Sequence, residues 1–235
     1  MNWWNTAYHH GQWLQTTVSR PEMVRFGGQF IPVHFVGGLV EGLAQFRDFG
    51  LSYKAGVGNG RAAAVSRAGD QGDNNGATAR LLNLSVRPER MYGLQVGGAV
   101  YRDTITLSDG RRFDENLTSA HVVLETETPE VIAEFALSTQ RAVDGSRSSS
   151  EAYYLQVAYR LPILDKRFKP YARYERIRIP ASTVVFRDTP SLRGGLVGVR
   201  WDFSDFAALK LEYRNLDRSF TTDIRGLSTQ LSYMF

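Results

Sequence analysis

The stretch KLEYR sets Lys210, Glu212 and Arg214 two residues apart, with Leu211 and Tyr213 between them. The same spacing recurs in RWD, where Arg200 and Asp202 flank Trp201, and in RYE, where Arg173 and Glu175 flank Tyr174. Side chains alternate across an extended strand, so each row puts charges on one face and apolar groups on the other. Lys54, Glu125, Glu134, Arg160 and Lys169 occupy the polar face of equivalent segments. Such rows support two kinds of chemistry. They can line a hydrated passage, where an Arg/Lys excess favours anions, or they can pair across neighbouring strands and stiffen the interior.

Other reactive residues have weaker patterns. His9, His10, His34 and Glu22 carry metal-ligating types, but adjacent histidines point apart on a strand and no known ligand spacing is present. No metal and no cofactor are expected. Ser119 and His121 share a face in TSAHVV, yet both stand on one strand and no oxyanion feature is legible. GVGNG at 56–60 precedes no helix, so it is not a phosphate cradle. The carboxylates show no spacing that singles out an acid–base pair, and no enzymatic activity is expected. The 235 residues contain no cysteine, which excludes disulfides and thiolate metal sites. A net charge of +4 without a basic cluster gives no ground for a nucleic-acid partner.

The elements that must hold these residues are strands. Period-two segments recur near 35–46, 48–58, 77–87, 91–102, 115–127, 130–141, 151–161, 168–179, 192–203, 206–216 and 224–235. In FKPYARYERIRI the alternation changes phase around Arg176, which predicts a bulge there. Connections alternate between short ones, such as Arg47-Asp48, Thr128-Pro129 and Ser204-Asp205, and long ones at 59–76, 103–114, 142–150 and 180–191. Aromatic residues, among them Phe46, Phe49, Tyr92, Trp201, Phe203 and Phe206, gather at the short-turn side.

No apolar run reaches the roughly 18 residues of a transmembrane helix, but strands need only alternate residues apolar. Short turns at one end, long loops at the other and a pooled aromatic girdle are marks of an outer-membrane barrel. The expected fold is therefore all-β: an antiparallel up-and-down transmembrane β-barrel with about 11–12 strands in this chain and room for more in the native barrel. A soluble sandwich or lipocalin-like barrel is the alternative. Residues 34–235 would form the barrel strands, and 1–33 a long extracellular or lumen-folded segment. Folded inward, that segment would bring Arg20, Glu22 and Arg25 to a constriction; packed over the rim, it would not. Counting back from a periplasmic C-terminus leaves an odd strand number. This is the basis for expecting an N-terminally incomplete chain, the alternative being a twelfth strand within 11–20.

The opening NWWNTAYHHGQWLQTTVSRPEMVRFGGQFIPVHFVGG, with its Arg20-Pro21 pair, resembles a long outer loop of Gram-negative porin-like proteins, including phosphate-selective porin relatives. KPYARYE, Lys169 to Glu175, resembles a porin strand leaving a periplasmic turn. The ending with Leu231, Tyr233 and Phe235 resembles the signal read by the barrel-assembly machinery. The resemblance implies an outer-membrane location, contact with lipid and lipopolysaccharide, small hydrophilic solutes as cargo and a homotrimer as one oligomeric option. The expected function is a porin-like diffusion channel, with an anion lean as one option for its charges; the alternative is a non-conducting barrel acting as an adhesin or structural protein.

Overall fold

A computed structural model of the chain describes residues 3–8, 14–25, 30–32, 34–61, 65 and 75–233. Eleven antiparallel strands form one sheet in sequence order: β1 (Gly37–Gln45), β2 (Phe49–Asn59), β3 (Thr78–Pro88), β4 (Leu94–Thr106), β5 (Arg112–Glu125), β6 (Glu130–Ala142), β7 (Arg147–Ala158), β8 (Phe168–Arg178), β9 (Leu192–Ser204), β10 (Ala207–Arg218) and β11 (Ile224–Tyr233). Each strand pairs with its neighbours in the chain, so the topology is up-and-down. The sheet is not closed: β1 pairs with β2 and β11 with β10, and among the described residues no ladder joins the two edges. A short helix α1 (Trp3–Tyr8) and a 3₁₀ turn (Glu22–Val24) lie N-terminal to the sheet. No helix among the described residues is long and apolar enough to cross a membrane, which says nothing of a β-barrel.

Alternation is what shapes the wall. Along β5 and β8 buried and exposed residues follow one another almost without interruption. On β10, Lys210 and Glu212 are 0 % exposed while Leu211 is 41 % exposed. The charged face is therefore the concave, covered one, and the apolar face is the open one. This inverts the arrangement of a soluble sheet, whose apolar face is the covered one. The outward face carries Leu82, Leu84, Val122, Phe135, Leu155, Val197, Leu227 and Leu231, all largely exposed. At the short-turn end the aromatics stack in pairs: Phe46 on Phe49 with centroids 4.7 Å apart, and Phe168 on Trp201 at 5.8 Å.

Three details differ from the sequence reading. Arg176 does not sit in a bulge, because the ladders of β8 with β7 and β9 run in unbroken register past it. The polarity changes phase there while the backbone does not. Ile177 turns inward onto Met23, Phe30 and Leu192, and Arg176 and Arg178 turn outward. The register shift that does occur lies between Ala207 and Ala208, where β9 meets β10. The connections expected to be long at 103–114 and 142–150 are mostly strand, closing in turns at 107–111 and 143–146. Their polar residues follow the ladder because strand hydrogen bonds extend beyond the apolar band. Residues 14–19 form a bend rather than a twelfth strand, and 11–13 lie outside the described residues.

One glycine fits the wall to its contents. A Cβ on Gly198 would collide with the Tyr171 ring and with the carbonyl of Leu211. Gly198→Val is expected to destabilise the sheet by about 1–3 kcal/mol, the usual range for overpacking. A Cβ on Gly226 meets nothing within 4 Å, so Gly226→Ala should stay within about 0.5 kcal/mol. Urea unfolding midpoints of the two variants measure the contrast.

Candidate functional site

The concave face is filled by the chain's own N-terminal segment, residues 14–25, which lies against β6, β8, β9 and β10. Its grip is polar along most of its length. Glu212 accepts hydrogen bonds from Val18 N (2.9 Å), Ser19 N (3.2 Å) and Ser19 Oγ (2.6 Å), and from the Tyr171 hydroxyl (3.2 Å). Lys210 Nζ donates to the carbonyl of Gln15 at 2.7 Å and to Gln230 Oε1 at 3.2 Å. Arg173 donates to Ser19 O at 3.0 Å and to Ser19 Oγ at 3.1 Å. Glu175 accepts from Glu22 N at 2.6 Å and from Arg173 Nε at 2.9 Å. Arg214 closes on Glu22 at 2.5 Å, and Arg200 reaches the carbonyls of Leu14 and Gln15.

These side chains arise from the period-two rows and arrive together because neighbouring strands keep one register. Lys210 stands opposite Arg200, Glu212 opposite Gly198, and Tyr171 opposite the same Gly198 from β8. The glycine makes room for the phenol to reach Glu212. Farther along, the segment changes character: Met23, Val24, Phe30 and Ile31 are fully buried among Leu81, Tyr101, Leu117 and Leu216. Residues 14–22 are thus clasped by charge, and the stretch after them is anchored by apolar packing.

The predicted site residues divide into groups. Arg173, Glu175, Lys210, Glu212, Arg214, Arg200 and Glu22 meet in the clasp. Arg20 is buried beside α1 and donates to the carbonyl of Tyr8 at 3.3 Å, and burial draws its guanidinium below the ordinary value. Arg25 is half-exposed and reaches Glu22 at 3.3 Å. Glu134 accepts from Trp3 N at 2.9 Å and from the Tyr154 hydroxyl at 2.5 Å. Arg160 lies beyond the end of β7, pairing with Asp202 and, at 2.8 Å, with Glu127. Burial alone would raise the Glu127 carboxyl, but bonds from Arg160 and Lys169 outweigh it and hold it below its usual value. Lys54 stands apart on β2, paired with Glu41 at 2.7 Å. Leu231 and Tyr233 face outward on β11; Phe235 lies outside the described residues.

The short-turn end opens into a cavity of about 450 Å³ beside Leu14, lined by Asp165, Lys166, Arg167, Arg200, Asp202 and Asp205. Among the described residues no group of three His, Cys, Asp or Glu could hold a metal ion, and His9 and His10 lie outside them. His121 and Ser119 both face inward; the imidazole meets Gln95 at 3.3 Å, which in turn accepts from Arg87.

Several residues with a structural part in the site escaped the sequence reading. Arg61, in the loop after β2, is fully buried against Glu115 at 2.8 Å. Glu130 holds Thr16 Oγ1 at 2.8 Å and Lys169 Nζ at 2.7 Å. The alternation FDENLTSAH does put Glu115 on the same face as Ser119 and His121, a signal that was there to find.

Fold and site together define an all-β, up-and-down sheet of eleven strands whose charged concave face encloses its own N-terminal segment. No family model, no curated protein and no solved structure matches the chain, so no family is identified for it.

Proposed function

We propose that this chain is an outer-membrane, porin-like β-barrel for passive diffusion of small hydrophilic solutes, narrowed by residues 14–25. The observation that carries the reading is the inverted polarity of the wall: charged rows at Lys210, Glu212, Arg173 and Glu175 face inward, and an apolar band with a stacked aromatic rim faces outward. Lipid offers no hydrogen bonds, so such a surface suits a bilayer and its charged interior suits water. The resemblance of the N-terminal stretch to porin-like loops supports the same reading. Cationic and acidic residues balance at the short-turn cavity, so the wall supplies no strong sign preference there.

A second reading is a non-conducting barrel, with an adhesive or structural part played by its loops. The close pairing of lumenal charges with the segment favours it. Planar-bilayer recording of the reconstituted chain separates the two. Discrete conductance steps are expected, small because the segment fills the section; a folded, inserted barrel that gives no steps at any voltage supports the second reading.

A further inference from the structure

Residues 14–22 are held on the concave face largely through their main chain. Val18 N and Ser19 N donate to Glu212, and Glu22 N donates to Glu175. The carbonyls of Gln15 and Thr17 accept from Lys210 Nζ at 2.7 and 3.5 Å. That of Ser19 accepts from Arg173, and those of Leu14 and Gln15 accept from Arg200. Side chains add less: Thr16 Oγ1 reaches Glu130, the Ser19 hydroxyl meets Glu212 and Arg173, and Glu22 pairs with Arg214.

The wall thus offers carboxylates to amides and cations to carbonyls along one track. Lys210 and Glu212 stand two residues apart on β10, about 7 Å along the strand. Between them they take both polar groups of one peptide unit, Thr17 O and Val18 N. Every peptide carries these groups, so the track reads an extended chain and not one particular sequence. Buried charge often stabilises no better than apolar packing of the same volume. The chain does use apolar packing beyond the track, at Met23, Val24, Phe30 and Ile31. The charged clasp is confined to the stretch that another polar chain can replace.

The short-turn end gives access to this track. The cavity of about 450 Å³ stops at Leu14, which is 57 % exposed. Its lining carries both signs, Lys166 and Arg167 with Asp165 and Asp205, so a charged end of a short peptide meets a counter-charge there.

We infer that the solute class of this lumen is the short extended peptide, bound by Arg173, Glu175, Lys210 and Glu212 on the track that residues 14–22 occupy. The chain's own segment stands in for the cargo and competes with it. Passage of the peptide rests on the diffusion reading above, whereas its binding rests on the track alone.

The test uses the full chain folded in detergent micelles, with folding checked by heat-modifiable gel mobility. The probe is a peptide of residues 14–22 labelled at its N-terminus, and fluorescence anisotropy reads its binding. A tethered segment competes at an effective concentration on the order of mM, so it is first weakened. Ser19→Ala loses the hydroxyl bonds to Glu212 and Arg173 and leaves the wall intact. It should tighten peptide binding about ten-fold. Thr16→Val, which gives up the bond to Glu130, should act in the same direction. Glu212→Ala loosens the segment too, but it takes the same acceptor from the peptide and should not tighten binding. In the Ser19→Ala chain, scrambling the probe's residues other than proline should weaken binding by at most about ten-fold, the effect of misplaced hydroxyls. N-methylation of the Val18 and Ser19 amides should weaken it at least about 100-fold, since two charged hydrogen bonds are lost. Maltohexaose, hydrated and of similar length, should not displace the probe. Four results overturn the inference: no probe binding in either segment variant, a scrambled peptide weaker than the N-methylated one, displacement by maltohexaose, or equal tightening by Glu212→Ala and Ser19→Ala. Peptide binding by a folded barrel that gives no conductance steps keeps the track and overturns its part in passage.

Discussion

Replacing Glu212 with alanine is expected to release residues 14–22 from the concave face and raise the conductance of the reconstituted chain. The carboxylate is the common acceptor for Val18 N, Ser19 N and Ser19 Oγ, and it also orients the Tyr171 phenol. It is fully buried, so water does not compete for these bonds. A hydrogen bond to a charged group contributes about 1.5–3 kcal/mol. Losing this set should shift the docked equilibrium of the segment by on the order of 10–100-fold, at roughly ten-fold for each 1.4 kcal/mol. Lys210 and Arg173 would still hold the backbone from the other side, which keeps the release partial. Larger or longer open steps should accompany faster trypsin cleavage after Arg25, since the Arg20-Pro21 bond resists trypsin. Glu212→Gln retains an acceptor without the charge and should fall between alanine and the native chain. Alanine at exposed Asp144, in the turn between β6 and β7, should change neither readout. If the Glu212→Ala barrel folds and both readouts stay native, the segment is not held by this carboxylate.

The sheet was legible in the sequence because its signal is local. Alternation at 206–216 and 130–141 needs no knowledge of distant partners, and the observed β10 and β6 fall within two residues of those spans. The face assignment of Lys210 and Glu212 follows from the same period. What could not be read was set by long-range contact. Nothing local in QTTVSRPE says that its backbone amides will meet Glu212 and Glu175, some 190 and 150 residues away in the chain. Arg61 sits in a run of Gly, Ala, Ser and Asp that reads as a hydrated loop, yet it is wholly buried. The apparent bulge at Arg176 shows the limit of polarity as a guide to geometry. Period-two reading assumes one solvent on each face along the whole strand. Near the rim the concave face becomes apolar, through Met23, Phe30 and Ile177, while the outward face becomes basic, so the polarity exchanges sides over a regular ladder.

The largest effect on stability is expected from Arg61→Met. The guanidinium lies 2.8 Å from Glu115 with both side chains fully buried. It also donates to the carbonyl of Phe30 at 2.6 Å and stands over the Phe186 ring at 5.6 Å from its centroid. One residue thus joins the segment before β1, the 179–191 loop and β5. Methionine fills much of the volume, so packing is not what is lost. The loss is electrostatic: Glu115 would keep its bond from Ser138 Oγ at 2.6 Å but would remain buried without its cation. Breaking a buried pair from one side costs about 3–5 kcal/mol. Lysine should recover little, since an ammonium cannot serve Glu115 and Phe30 with the planar fork of arginine. Removing both charges differs in sign from removing one. In Arg61→Met/Glu115→Met neither member of the pair is left behind, the neighbouring Asp103 keeps its bonds from the Tyr101 hydroxyl and Thr104 N, and apolar replacement of a whole pair is often close to neutral. The double variant should therefore be more stable than Arg61→Met, with a coupling of at least about 2 kcal/mol in the cycle of urea midpoints. A double variant no more stable than the single one would mean that Arg61 acts through its contacts with Phe30 and Phe186, and that its charge contributes nothing to holding the loops over the lumen.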